Sequence, residues 1–362
     1  MSTFAVTVEK LNILEHPQAD ALELAQVGLY RAVVAKGAYK SGDLAVFVPE
    51  QGVLPSALID ALGLTGKLAG SNADRVKAIR LRGELSQGVV IPLSLIPESV
   101  DVEDAYRSKA DISGILGIFK WVPEIPVHMS GQAYGAGDML RWVDIENIKR
   151  FPDIFPEGEM VTATEKIHGT CTVASYSVTD DTLHVSSKGF AAKSTALTES
   201  ETNLYWRSAH AYDLKGVAAA IADRYGATAV GIYGETYGKG VQDLHYGAAA
   251  NVDGKPGYAM FDIKVQYANG EQEWLDFDVT AQLAAELNVP CVPILYRGPY
   301  SADKIAEVAE GKETISGQSL NVREGVVVRP VKERKSEVLG GRAIGKWVSE
   351  GYLTRKGGTE YE

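Results

Sequence analysis

Apolar residues alternate with polar ones in short stretches over the first hundred positions. Phe4-Ala-Val-Thr-Val-Glu9 alternates, and so does Leu22-Glu-Leu-Ala-Gln-Val-Gly28. Tyr30–Ala35 and Leu44–Val48 are brief apolar runs bounded by glycine or proline. Strands this short, roughly ten residues apart, predict a small barrel or sandwich. Pro55–Leu62 reads as a short inserted helix. From about 100 to 155 the pattern fades. Pro123, Pro126, Pro152 and Pro156, with Gly131, Gly135 and Gly137, mark a connector and place a domain boundary near 150. Beyond it the period alternates between 2 and 3.6. Val161–Glu165, Thr172–Val178, Leu183–Ser187, Ala229–Tyr233 and Gly325–Arg329 read as strands. Tyr212–Tyr225 places Leu214, Val217, Ala218, Ile221, Ala222 and Tyr225 on one helical face. Asp278–Leu287 and Ser301–Ala309 open on capping residues and read as helices. The fold class is therefore α+β.

Composition narrows the function. At 362 residues the chain fits two domains, and 45% hydrophobic residues suffice for a core in each. Lys plus Arg number 36 against 47 Asp plus Glu, a net charge of −11. A chain this acidic holds nucleic acid only through a local basic surface. The stretch 322–356, with nine basic and four acidic side chains, is the expected phosphate-contact surface. Cys171 and Cys291 alone exclude a disulfide scaffold and a cysteine-based zinc site. The six histidines form no H-E-x-x-H pair. No 18-residue apolar run and no basic-then-apolar leader is present, so a cytoplasmic protein with no membrane partner is expected.

Candidate chemistry begins at Lys166-Ile-His-Gly-Thr170, which follows a strand. A lysine at such a bend can project its amine into a cavity, yet K-x-x-G alone is a weak signal. The rest of the order is informative. Tyr233-Gly-Glu-Thr-Tyr-Gly238 follows, then Val241-Gln-Asp-Leu-His-Tyr-Gly247, Tyr258-Ala-Met-Phe-Asp-Ile263, Arg323-Glu-Gly-Val-Val-Val-Arg329 and a lysine segment around Lys346. This succession, over about 166–353, resembles the covalent nucleotidyltransferases, and most closely the nick-sealing, ATP-dependent RNA ligases. Upstream, Ile13–Asp20 resembles the opening of OB-fold tRNA-binding modules. Ile79-Arg-Leu-Arg-Gly83 and Ser86–Pro92 resemble the N-terminal domain of ligases that carry an OB module first. Capping enzymes and DNA ligases carry theirs afterwards, and 16 residues after Lys346 leave no room for one. Gly340–Lys346 also fits G-x-x-x-x-G-K, but Trp347 replaces the metal-binding hydroxyl of a P-loop.

The resemblance implies an OB-like β-barrel over 1–150, then an ATP-grasp-like ligase nucleotidyltransferase domain over 151–362 with antiparallel sheets and flanking helices. It implies ATP as AMP donor, Mg²⁺ or Mn²⁺, a monomer, and RNA 3′-hydroxyl and 5′-phosphate ends in a nicked duplex as substrate. Lys166 is then the nucleophile. Lys346 is the cation that lowers its pKa and neutralises α-phosphate charge. Glu235 meets the ribose or metal-bound water, and Glu324 is the stronger metal candidate. Tyr258 stacks on adenine, Glu165 meets its edge, and Ile167 and Gly169 complete the AMP pocket. Lys188 stands where the family has Arg, so its ribose or phosphate contact is altered. Cys171 replaces a common Asn. The final motif offers one lysine instead of a Lys-x-Lys pair, leaving Arg342 or Lys332 as partners. The alternatives are a DNA ligase, a GTP-using capping-type enzyme, and a non-catalytic OB-type RNA-binding protein.

Overall fold

The computed structural model describes residues 3–247 and 254–356. They form two compact units. The first runs to Pro123 and regains Asn147–Pro152; the second takes Glu124–Glu146 and the chain from Asp153 onward.

In the first unit, Thr7–Lys10, Leu44–Val48 and Val89–Ile91 form one antiparallel sheet, and Asn12–Glu15, Leu22–Val27 and Tyr30–Ala35 form a meander. The period-2 pattern aims Val6, Val8, Val46, Val48 and Ile91 into one core. Ala25, Ala32, Ala45, Phe47 and Val90 line another, so the central Leu44–Val48 strand is apolar on both faces. The inserted helix is present as Ser56–Ala61. A helix the pattern did not predict spans Val102–Ser108, capped by Asp101, whose side chain accepts from the Asp104 N–H.

The second unit is built on two five-stranded sheets. In the first, Gly345–Val348, Gly325–Pro330, Met160–Lys166 and Ile294–Pro299 lie side by side in that order, all antiparallel. The second runs Thr182–Ser187, Thr170–Ser177, Ala229–Tyr237, Gly257–Gln266, Gln272–Trp274. The helices Leu204–Ala211 and Leu214–Tyr225 pack on one face of the second sheet, where Val230, Ile232, Met260 and Ile263 meet Trp206, Leu214 and Ile221. Its other face carries Val173, Tyr233 and Phe261 against Trp142 and Val327.

A β-bulge opposite Tyr233–Gly234 makes this two-faced arrangement possible. Tyr233 pairs with Asp262 and Gly234 with Met260, so Phe261 is the extra residue. A bulge re-aims side chains. Here two consecutive residues, Phe261 and Asp262, turn away from the helix-covered core. Asp262, fully buried, accepts from Arg329 at 3.0 Å and Arg342 at 2.7 Å, and Arg342 also holds Glu333. The Arg342 guanidinium lies over Trp274. This network ties the first sheet to the second.

The expected connector is not an inert spacer. Met129 packs into the helix-covered core and Ala136, Met139 and Trp142 into the opposite one. Its prolines and glycines obscure a segment that holds a 3₁₀ turn at Val127–Met129 and a short strand at Ala133–Gly135 paired with Thr195–Leu197, and that otherwise folds through side-chain burial.

Candidate active site

Lys166 ends the Met160–Lys166 strand, where it pairs with Gly325. Its amine donates to Glu324 Oε1 at 2.5 Å. Glu324 immediately precedes the neighbouring strand, so strand register alone brings the two together. Lys346 lies one strand further, opposite Val327. Glu235 comes from the other sheet and Lys188 from the end of the Thr182–Ser187 hairpin strand, where it pairs with Asp144 at 2.9 Å.

These groups act on one another electrostatically. Burial drives the Glu235 carboxyl up to about 8, and Glu324 adds to the rise. Lys166, Lys188 and the Gly169 N–H pull the other way. Burial drives the Lys346 amine down to about 7, helped by Lys166 and Lys188 and opposed by Glu324 and Glu146. At neutral pH the site therefore holds Glu235 mostly protonated and Lys346 about half neutral. Arriving negative charge would draw a proton onto Lys346. The cations that act on Lys346 are Lys166 and then Lys188, not the two residues the sequence suggested. Arg342 is consumed by Asp262 and Glu333, and Lys332 is 85% exposed on Asp276.

Gly169 is required by close approach. A Cβ there would sit 2.2 Å from the Thr236 carbonyl oxygen. That proximity lets the Gly169 N–H reach Glu235, with Gln242 holding the Gly169 carbonyl at 3.1 Å. Ile167 is buried with Tyr237 and Tyr246 and anchors the loop. His168, two residues after Lys166, was passed over in the sequence. Its Nε2 meets Asp243 at 2.6 Å, its Nδ1 meets the Tyr352 hydroxyl at 2.9 Å, and Glu324 Oε2 lies 3.8 Å from Nδ1. Arg355 pairs with both Asp243 oxygens. The i, i+2 spacing from Lys166 was the available signal.

Three expectations need correction. Tyr258 is fully buried in the helix-covered core, its ring against Gly234 and Tyr212, so it cannot stack on a nucleobase. Phe261, Tyr233 and Tyr237 are aromatics on the face of Glu235, and of these Phe261 is the one only partly buried. The Glu165 carboxylate is taken up by Thr314, whose N–H and hydroxyl donate at 3.0 and 2.5 Å, so its side chain is not open to an adenine edge. The basic stretch 322–356 is largely spent on internal pairs. Arg329 and Arg342 are buried on Asp262, Arg334 pairs with Glu159, and Arg323 donates to three backbone carbonyls.

Among the described residues, no group of three or more His, Cys, Asp or Glu side chains is arranged to hold a metal. Glu324 Oε2, however, is buried without a hydrogen-bond partner. Mg²⁺ commonly takes one or two carboxylates and completes its shell with substrate phosphates and water. The residues present fit an ion that arrives with a polyphosphate.

Three amines and two carboxylates converging between two sheets can bind an anion and attack it with nitrogen. That is the combination of groups a lysine-dependent nucleotidyl transfer requires. The comparisons specify the class further. An RNA ligase family model matches residues 159–348, and an OB-fold domain model matches residues 5–93. The chain belongs to the RNA ligase family. No curated protein matches it. Among solved structures, the Naegleria gruberi RNA ligase with PPi shares 23% identity over 97% of this chain and 98% of that one, with a TM-score of 0.75. A mutant of the same enzyme with ATP and Mn shares 23% identity over 96% and 98%, with a TM-score of 0.76. Another with AMP and Mn shares 22% over 96% and 98%, at 0.75. At this identity the likeness establishes the fold. Among the described residues no helix is long and apolar enough to cross a membrane.

Proposed function

We propose that this chain is an ATP-dependent RNA ligase that seals nicks in duplex RNA, acting as a cytoplasmic monomer. One observation carries the reading: Lys166 sits at a strand end against Glu324, facing Glu235, with Lys346 perturbed by Lys166 and Lys188. The ATP and AMP named in the Naegleria structures support the choice of nucleotide.

In the first step the neutral Lys166 amine attacks the α-phosphorus of ATP. An N–P bond forms, the bond to the α–β bridging oxygen breaks, pyrophosphate leaves, and the proton shed by the attacking nitrogen passes to solvent. Glu324 orients the amine beforehand. Lys346 takes up a proton as the triphosphate enters, so its positive charge lies beside the oxygens that gain charge in the transition state. Glu235, its carboxyl pushed up to about 8 by burial, offers a protonated, hydrogen-bonding carboxyl to the ribose. Lys188 supplies a further phosphate or ribose contact. Phe261 and Tyr237 offer the apolar surface for the base. A divalent ion, when bound through Glu324, would neutralise phosphate charge and orient the triphosphate. In the second step an RNA 5′-phosphate displaces Lys166 from AMP, giving a 5′–5′ pyrophosphate linkage. In the third, the adjoining 3′-hydroxyl attacks that activated phosphate, forming the phosphodiester and releasing AMP.

The test is sealing of a singly nicked RNA duplex with each of ATP, GTP and no nucleotide. Sealing should require ATP and a 5′-phosphate, and should exceed joining of the same strands without a splint. Equal use of GTP, or no sealing of any end by an enzyme that accepts AMP, would remove this reading.

A further inference from the structure

With 322–356 largely taken up by internal pairs, the first unit offers a second basic segment, Arg75–Arg82, which runs into a hairpin. Ile79–Leu81 pairs antiparallel with Glu84–Ser86 around Arg82 and Gly83. Acidic and basic residues number 14 each across this unit, yet Arg75–Arg82 contains four basic residues and no acidic one. Lys77, Arg80 and Arg82 are exposed. Among the described residues, Lys77 and Arg82 have no ion-pair partner.

The hairpin is held at its base. Leu85 and Ser86 are buried, Ser86 Oγ accepts from the Val33 N–H at 3.0 Å, and buried His16 contacts the Leu81 carbonyl at 3.1 Å. Arg31 reaches Glu84 at 3.4 Å. Its tip makes an unusual residue choice. Arg82 has φ +50° and Gly83 φ +92°, the geometry of a two-residue turn in which Asn-Gly is favoured. Arginine at the first of these positions is strained, and folding gives no reason for it. Strain of this kind concentrates where a ligand is met.

We propose that the Ile79–Ser86 hairpin, with Lys77, is a docking finger for the phosphate backbone of double-stranded RNA beside the nick. The inference rests on the RNA-ligase reading and adds a surface to it. Arg80 on the strand and Arg82 in the turn are two residues apart, so their backbones sit within about 7 Å of each other, close to the step between consecutive phosphates. Duplex is favoured over single strand by side-chain chemistry. Single-strand readers stack bases on aromatic rings, whereas the exposed apolar residues here are Ile79 and Leu81. Aliphatic and cationic groups suit a shallow groove edge read by shape and phosphate contacts.

The test uses the full chain and a dye-labelled nicked RNA duplex, with binding followed by anisotropy over a range of potassium chloride concentrations. Lys77→Gln with Arg82→Asn should weaken duplex binding about 10- to 50-fold and lower the log–log salt slope by about two, since each lost phosphate contact removes roughly 0.9. Arg82→Asn alone should lower the slope by about one. It also relieves the left-handed backbone, so its melting temperature should stay level or rise. RNA-free adenylylation should match wild type in both variants, and binding to the unpaired strand should change less than duplex binding. An unchanged slope and affinity, or an equal loss on single strands, would overturn the proposal. A wild-type chain that neither takes up AMP nor binds the nick would instead refute the ligase reading itself.

Discussion

Lys346→Met removes the side chain on which the electrostatic account most depends. Burial and two neighbouring lysines hold the Lys346 amine at about 7, against about 10.4 for a free lysine. A triphosphate beside it supplies the opposite charge and restores the protonated form. The sign follows directly. At pH 8 about nine-tenths of the Lys346 population is neutral before binding, so nucleotide binding should take up close to one proton. At pH 6 about nine-tenths is already charged, so uptake should fall to about 0.1. Glu235, near 8, also titrates in this range, which is why the difference between wild type and Lys346→Met is the quantity to read. The assay is calorimetric titration with an α,β-methylene ATP analogue, which binds without reacting, in metal-free buffers of different ionisation enthalpy. The wild-type-minus-variant difference should be about 0.9 proton at pH 8 and near 0.1 at pH 6. Equal uptake by both proteins at pH 8 would refute the assignment of Lys346 to the phosphates.

Glu235→Ala and Glu324→Ala should each slow adenylylation at least about tenfold, the equivalent of about 1.4 kcal/mol in the barrier; wild-type single-turnover rates at saturating metal would remove them from the site. Tyr258→Phe should leave adenylylation unchanged and stability level or higher, because the hydroxyl is buried without a partner. Phe261→Ala should weaken nucleotide binding, and equilibrium titration of both variants distinguishes the two aromatics. Asp262→Ala should cost about 3–5 kcal/mol in denaturant unfolding, since two buried guanidinium groups lose their carboxylate; a loss under about 1 kcal/mol would mean the network does not tie the sheets.

The sequence was most readable where local pattern and tertiary demand agree. Tyr30–Ala35 and Leu44–Val48 form strands with the bounds their apolar runs suggested, because each is flanked by turn residues and turns apolar side chains into the core, Leu44–Val48 on both faces and Tyr30–Ala35 through Tyr30 and Ala32. Lys166 and Glu324 were picked out by the family phrases around them, and ladder register does place them side by side. Tyr258 was misread because it was assigned by its place in the family phrase; strand register pairs it with Thr236 and so puts it on the face opposite Glu235, and register is not legible in a local residue pattern. The basic stretch 322–356 misled for a different reason. Its countercharges, Asp262, Asp276, Glu159 and Asp243, lie far away in sequence. The helix Leu204–Ala211 was missed because eight residues span barely two turns, too few to establish a period, although Asn203 caps it.

The central claim is that Lys166 becomes covalently attached to AMP. Incubating the pure chain with α-labelled ATP and Mg²⁺ or Mn²⁺, then denaturing it and mapping the label by mass spectrometry after digestion, tests that claim directly. The account predicts one acid-labile AMP adduct on Lys166, with release of pyrophosphate, and no label on Lys166→Ala. Label at the wild-type level on Lys166→Ala, or an adduct mapped to another side chain, would contradict it.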